Sequence, residues 1–213
     1  MIRKKNLFSR ILILILLRKK GVILNTFFSL ITPREYDAQT SELLAVRAKI
    51  LFRFLKPYST PLELTRVGRR GDGSYVLPRK FMSQKSYLIS GGIEDNNSFE
   101  IELANKGVEG VQIDNSIKQP PKLHPNLQFV QKTISKSDSE SNISLTTLIR
   151  ACPPGRNLIL KLDIEGSELG ALGATQLGDI ERIDCLIMEL HNLSLLYQDS
   201  FAKELILLIN NLQ

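Results

Sequence analysis

Cysteine and histidine are both scarce in this chain of 213 residues, with two of each. Cys152 and Cys185 form no ligand-like pair and supply no disulfide framework, which points to a reducing, cytoplasmic setting. His124 and His191 leave no histidine-rich metal site, and no metal ligand is assigned. Long apolar runs are missing as well. Residues 11–17, ILILILL, are followed at once by Arg18, Lys19 and Lys20, whereas a membrane span needs about 20 apolar residues. A second run over residues 22–31 is broken by Asn25, Thr26 and Ser29. The G-x-G-x-x-G fingerprint of dinucleotide sites is absent too, and no separate substrate domain follows, which argues against a nicotinamide-dependent oxidoreductase.

The net charge of +6 is local rather than general. The first 20 residues hold Arg3, Lys4, Lys5, Arg10, Arg18, Lys19 and Lys20 and no acid. Without those seven the chain carries 21 basic and 22 acidic residues, so no basic face remains for nucleic acid. Three readings of this arm stay open. It is a helix packed on the body or a partner, a peripheral membrane anchor through residues 1–32, or a signal segment lacking a small-residue cleavage site.

Three regions follow from the punctuation of the chain: the basic and apolar arm over 1–40, a helix and hairpin over 41–80, and an α/β domain over 81–213. Residues 41–56 repeat apolar positions at helical spacing, through Leu43, Val46, Ile50 and Phe54, until Pro57. Residues 64–67 and 75–77 flank a glycine-rich loop with Asp72-Gly73, a hairpin signal. Asp72 reads either as turn chemistry or as part of a loop lying over a nucleotide site. Strands are expected at 86–90, 111–114, 127–131, 157–163 and 184–190, with helices at 97–106, 144–151, 167–174 and 201–212. The run NLILKLD over 157–163 is apolar at nearly every position, as a parallel strand covered on both faces should be.

Residues 86–114 form the most informative segment. A short strand ends at Ser90, Gly91 and Gly92 make a turn without Cβ atoms, and Asn97 stands three residues before Glu100 at capping-box spacing. The second strand ends in Asp114. This is how α/β proteins hold a nucleoside, with backbone at the turn and a carboxylate for the ribose hydroxyls. Ligands of doubly wound sheets bind beyond the carboxyl ends of the strands, where Ser90, Asp114, Asp163, Glu165, Glu189 and His191 all fall. Taken singly, Asp163 also reads as a helix cap and His191 as a structural hydrogen-bonder. Oxygen-rich ligands among Asp163, Glu165, Glu189 and His191 would suit magnesium, yet carboxylates at sheet ends are common without metal.

Five motifs in order carry a resemblance over about residues 64–212: RVGRRGDGSYVLP at 66–78, SGG at 90–92, SFE at 98–100, KLDIEGSE at 161–168 and MELH at 188–191. Together they resemble FkbM-type S-adenosylmethionine-dependent methyltransferases. The resemblance implies a Rossmann-like three-layer sandwich with a mostly parallel sheet. It implies that Ser90, Gly91, Gly92 and Glu94 border the methionine part of the cofactor and Asp114 takes the ribose. Asp163, Glu165 and His191 would border the meeting place of methyl donor and acceptor.

The chain departs from the pattern twice. Glu94 stands where many relatives have a second glycine, although its carboxylate could instead face the cofactor's amino group. Two strands that should follow residues 201–212 are missing before Gln213, which leaves the fifth strand at an exposed edge. Either the gene product is truncated or another polypeptide completes the sheet. The expected activity is methylation of a hydroxyl on a small acceptor such as a sugar. The alternative is a degenerate binding module without activity.

Overall fold

A computed structural model describes residues 11–15, 24–28, 37–55, 59–71 and 73–212. Its centre is five parallel strands: β5 (Ser86–Gly91), β6 (Glu109–Ile113), β7 (Leu127–Val130), β10 (Asn157–Leu162) and β11 (Ile183–Leu190). They lie in the order β11-β10-β5-β6-β7, so the chain reverses direction across the sheet between β5 and β10. All five expected strands are present, and their carboxyl ends share one edge.

Side-chain alternation explains why β10 is almost wholly apolar. Leu158, Leu160 and Leu162 enter one core with Leu186 and Met188, while Ile159 enters the opposite core with Cys185 and Ile187. The first core is closed by helices: α1 (Ala38–Phe54), α3 (Leu145–Ala151), α4 (Glu168–Gly173), α5 (Leu177–Ile180) and α6 (Asp199–Leu212). The second is closed by α2 (Ser98–Ala104) and the antiparallel hairpin of β3 (Leu64–Val67) and β4 (Tyr75–Pro78). A short parallel pair, β8 (Thr133–Ser135) and β9 (Asn142–Ser144), precedes α3 and was not foreseen. The architecture is α/β and compatible with a Rossmann-like sheet.

Two expectations need correction. The arm is not helical at its apolar run: β1 (Ile11–Ile15) pairs antiparallel with β11, and β2 (Leu24–Phe28) pairs antiparallel with β1. The sheet order is therefore β2-β1-β11-β10-β5-β6-β7, and the open edge expected beside the fifth strand is paired. The two strands expected to be lacking have their places filled from the amino-terminal end. The capping box also fails. Asn97 donates to Gln112 Oε1 at 2.9 Å and to the Lys122 carbonyl at 2.8 Å, and makes no cap. Glu100 turns inward to Ser90.

Helix α1 is capped by Asp37, whose carboxylate accepts from the Thr40 N–H at 2.9 Å. Arg47 of α1 donates to the carbonyls of Leu196 and Tyr197 at 2.9 and 2.8 Å and pairs with Asp199, which ties this helix to the start of α6. No helix among the described residues is long and apolar enough to cross a membrane.

Candidate functional site

At the carboxyl edge of the sheet, β5 runs into Gly91-Gly92. Gly92 has φ +74°, and a Cβ there would lie 1.7 Å from the Asp163 carbonyl oxygen. At Gly91 a Cβ would meet Ile134 Cδ1 at 2.5 Å. Gly92 is therefore required by the chain's own packing, because the turn after β5 lies against the backbone leaving β10, whereas at Gly91 the crowding comes from the side chains of Ile134 and Ile164. Glu94 has φ +41°, a left-handed backbone where glycine would be easier.

Asp114, one residue past β6, anchors this turn. Its Oδ2 accepts from the N–H groups of Ile93 and Glu94, each at 2.9 Å, and its Oδ1 accepts from the N–H and hydroxyl of Ser116 at 2.7 and 2.6 Å. Burial works to raise its pKa, but the bonds from Ser116, Glu94 and Ile93 outweigh it and hold the carboxyl below the ordinary range. All four acceptor positions of the carboxylate are occupied within the chain.

Beneath the turn lies a buried polar network that sequence reasoning only partly named. Ser90 Oγ donates to Glu100 Oε1 at 2.5 Å, and both side chains are buried. Lys161 projects from β10 on the same face, donates to the Gly91 carbonyl at 3.4 Å and to that of Gly92, and lies 4.0 Å from Glu100. Its ammonium sits 5.2 Å from the centre of the Tyr75 ring. Tyr75 donates its hydroxyl to Asp163 Oδ2 at 2.8 Å. Burial, and then the Asp163 carboxylate, push the Tyr75 phenol far up, so it stays a donor.

Asp163 and His191 meet at the ends of β10 and β11. His191 Nδ1 lies 2.8 Å from Glu168 Oε1, which also accepts from the N–H groups of Ile164 and Gly166 at 2.9 and 3.3 Å. Glu168 is thus an acceptor, and Nδ1 carries the hydrogen between them. Nε2 faces Asp163 Oδ1 at 3.6 Å, Glu189 Oε2 at 3.6 Å and Glu165 Oε2 at 3.8 Å. Burial lowers the His191 pKa, but the bond and charge of Glu168, with Asp163 and Glu165, carry it above the ordinary value.

Backbone conformation singles out the same edge. Among the described residues the non-glycine positions with positive φ are Glu94, Glu165 and Asn192, each in a segment that leaves the carboxyl end of a strand. Gly166, next to Glu165, lies against Asn192, and a Cβ there would sit 2.1 Å from Asn192 Nδ2. Backbone held in sparsely populated regions collects where a site must be shaped.

Two cavities open here. One, of about 120 Å³, is lined by Gly92, Asp114, Thr133, Ile134 and Asp163 among others. The other, of about 70 Å³, includes Gly73, Tyr75, Asn96 and Lys161 in its wall. Gly92, Glu94, Asp163 and Glu165 border both. Each is smaller than the roughly 300–1,000 Å³ of pockets that enclose a small molecule, so neither alone encloses one. A larger cavity of about 500 Å³, lined by Lys136, Leu169, Glu204 and Leu208, lies away from the strand ends.

Ser90, Gly91, Gly92, Glu94, Asp114, Asp163, Glu165 and His191 all fall on this one edge. Ser90, Gly91 and His191 are buried and line neither cavity, and Ser90 faces Glu100. Asp72 lies outside the described residues, but its neighbour Gly73 borders the smaller cavity. Tyr75, Glu100, Lys161 and Glu168 were missed as parts of the network. Lys161 left a readable signal, as an isolated charge within a buried apolar strand. Compared with protein-family models, curated proteins and solved structures, the chain matches none of them.

Proposed function

We propose that this chain is an S-adenosylmethionine-dependent methyltransferase acting on a hydroxyl of a small acceptor. The carrying observation is the joint at the sheet edge, where Asp114 binds the backbone of the turn after Gly91-Gly92 beside a cavity that reaches Asp163. In this reading the ribose lies toward Asp114 and the methionine part toward Gly92 and Glu94. The acidic surroundings of Asp163, Glu165, Glu168 and Glu189 favour the cationic sulfonium donor.

The chemistry asks little of the protein beyond alignment and exclusion of water, because the donor is already activated. The acceptor oxygen attacks the methyl carbon, the carbon–sulfur bond breaks, and its electron pair leaves with sulfur. The hydroxyl proton passes to a base among Asp163, Glu165 and His191. Tyr75 occupies one oxygen of Asp163, whereas Glu165 is more than half exposed at the cavity wall.

Titration calorimetry with S-adenosylmethionine tests this reading. The expected result is one site per chain, weakened at least tenfold by Asp114→Ala, while no heat from folded protein at millimolar cofactor would overturn it. One observation favours the second reading, a methyltransferase-like binding module without activity: the acceptor positions of Asp114 are already filled by its own chain. That reading expects no methyl transfer to any of a broad panel of hydroxylated acceptors.

A further inference from the structure

We infer that Asp163, Glu189 and His191 form a binding site for a divalent cation of the manganese type. A ligand atom from each of the three lies within 4.8 Å of the others. Acidic clusters alone prove little, and the deciding feature is His191. Its side chain is 7% exposed, and its Nε2 has no hydrogen-bond partner although it points at carboxylates. A neutral ring with hydrogen on Nδ1 presents a lone pair to those negative oxygens. A charged ring leaves its N–H 3.6 Å from Asp163 and from Glu189, too far for a hydrogen bond. A cation between them satisfies all three donors.

The spacing and the surroundings agree. A metal about 2.1 Å from each donor holds neighbouring donors roughly 3.0 Å apart in an octahedron and roughly 3.4 Å in a tetrahedron. The two 3.6 Å separations from His191 need a closure of about 0.2 Å for a tetrahedron or about 0.6 Å for an octahedron, and ligand oxygens of Asp163 and Glu189 lie within 4.8 Å of each other. Glu168 takes the other ring nitrogen at 2.8 Å, the arrangement that fixes the tautomer of a metal-binding histidine. Tyr75 holds one oxygen of Asp163 and leaves the other facing His191. Two carboxylates balance a divalent charge, and one imidazole with carboxylates suits manganese better than calcium.

Cation binding itself stands on this geometry, but its role rests on the methyltransferase reading. There the ion would hold the acceptor hydroxyl and lower its pKa, leaving Glu165 to take the proton. The experiment is an electron paramagnetic resonance titration of Mn²⁺ into the metal-stripped full chain, with pulsed detection of nitrogen coupling. The expected result is one bound ion per chain with imidazole coupling. Asp163→Asn and Glu189→Gln should each weaken binding at least tenfold, and Glu168→Gln should weaken it about 10–100-fold. No binding by the folded wild-type chain at millimolar Mn²⁺, or binding without nitrogen coupling, overturns the site even where a variant fails to fold. Calorimetry with S-adenosylmethionine in chelator separates the two ideas. Cofactor binding without Mn²⁺ binding removes the cation alone, and Mn²⁺ binding with imidazole coupling but no cofactor binding supports the site while removing its role.

Discussion

Gly92 and Glu94 carry opposite consequences two residues apart. Gly92 combines φ +74° with a Cβ position 1.7 Å from the Asp163 carbonyl, so Gly92→Ala meets both backbone strain and collision. A loss of about 3 kcal/mol or more in urea unfolding is expected, and a loss below about 1 kcal/mol would contradict the packing described. Glu94 has φ +41° and an exposed side chain, so Glu94→Gly removes a left-handed penalty of about 1 kcal/mol. The variant should unfold at higher denaturant, and unchanged or lower stability would show that its side chain outweighs the strain. The resemblance marked position 94 as a place for glycine, but the sequence held no sign that the Asp163 carbonyl oxygen crowds Gly92. Crowding of that kind arises between segments about seventy positions apart, which local pattern does not encode.

Among the elements, the joint of the turn after β5 with the end of β6 is held by Asp114, and its stability should follow pH. The folded pKa of Asp114 lies below its unfolded value, so the stabilisation is complete above about pH 4 and is lost as pH falls through the folded value. Asp114→Asn should cost about 1–3 kcal/mol near neutral pH, with the gap to wild type closing as pH falls through the lowered folded value. Denaturant unfolding from neutral pH into the acid range checks it, and a gap independent of pH would contradict the charged role. Strands β5, β6, β10 and β11 were legible because buried parallel strands are continuous apolar runs with acids or turns at their ends. The capping box was not, since Glu100 had a stronger partner in Ser90 than the helix end. The run at 11–17 was misread because seven apolar residues without alternation suit a strand or a helix equally.

Across the whole molecule, the sheet is completed from the amino-terminal end: β1 covers the edge of β11 and β2 extends it. A chain starting at Pro33 would lose both strands and present the backbone of β11 to solvent. It should self-associate in light scattering while the full chain does not, and a monodisperse truncated chain would contradict the pairing. Flotation with anionic liposomes should then be absent for the full chain, since the backbone of residues 11–15 is paired between β2 and β11. The candidate site is the other whole-molecule outcome, because four strand ends, the hairpin and the segment after β11 converge on one edge. The sequence could place the acids there by topology alone. It could not foresee Tyr75 reaching Asp163 across the sheet. The most direct measurement of the central claim is a crystal structure of the full chain with S-adenosylhomocysteine. The account expects the ribose hydroxyls beside Asp114 and the amino-acid part along Gly92 and Glu94. Adenosylhomocysteine bound instead in the cavity lined by Leu169 and Leu208, or bound nowhere in crystals grown at millimolar ligand, would contradict it.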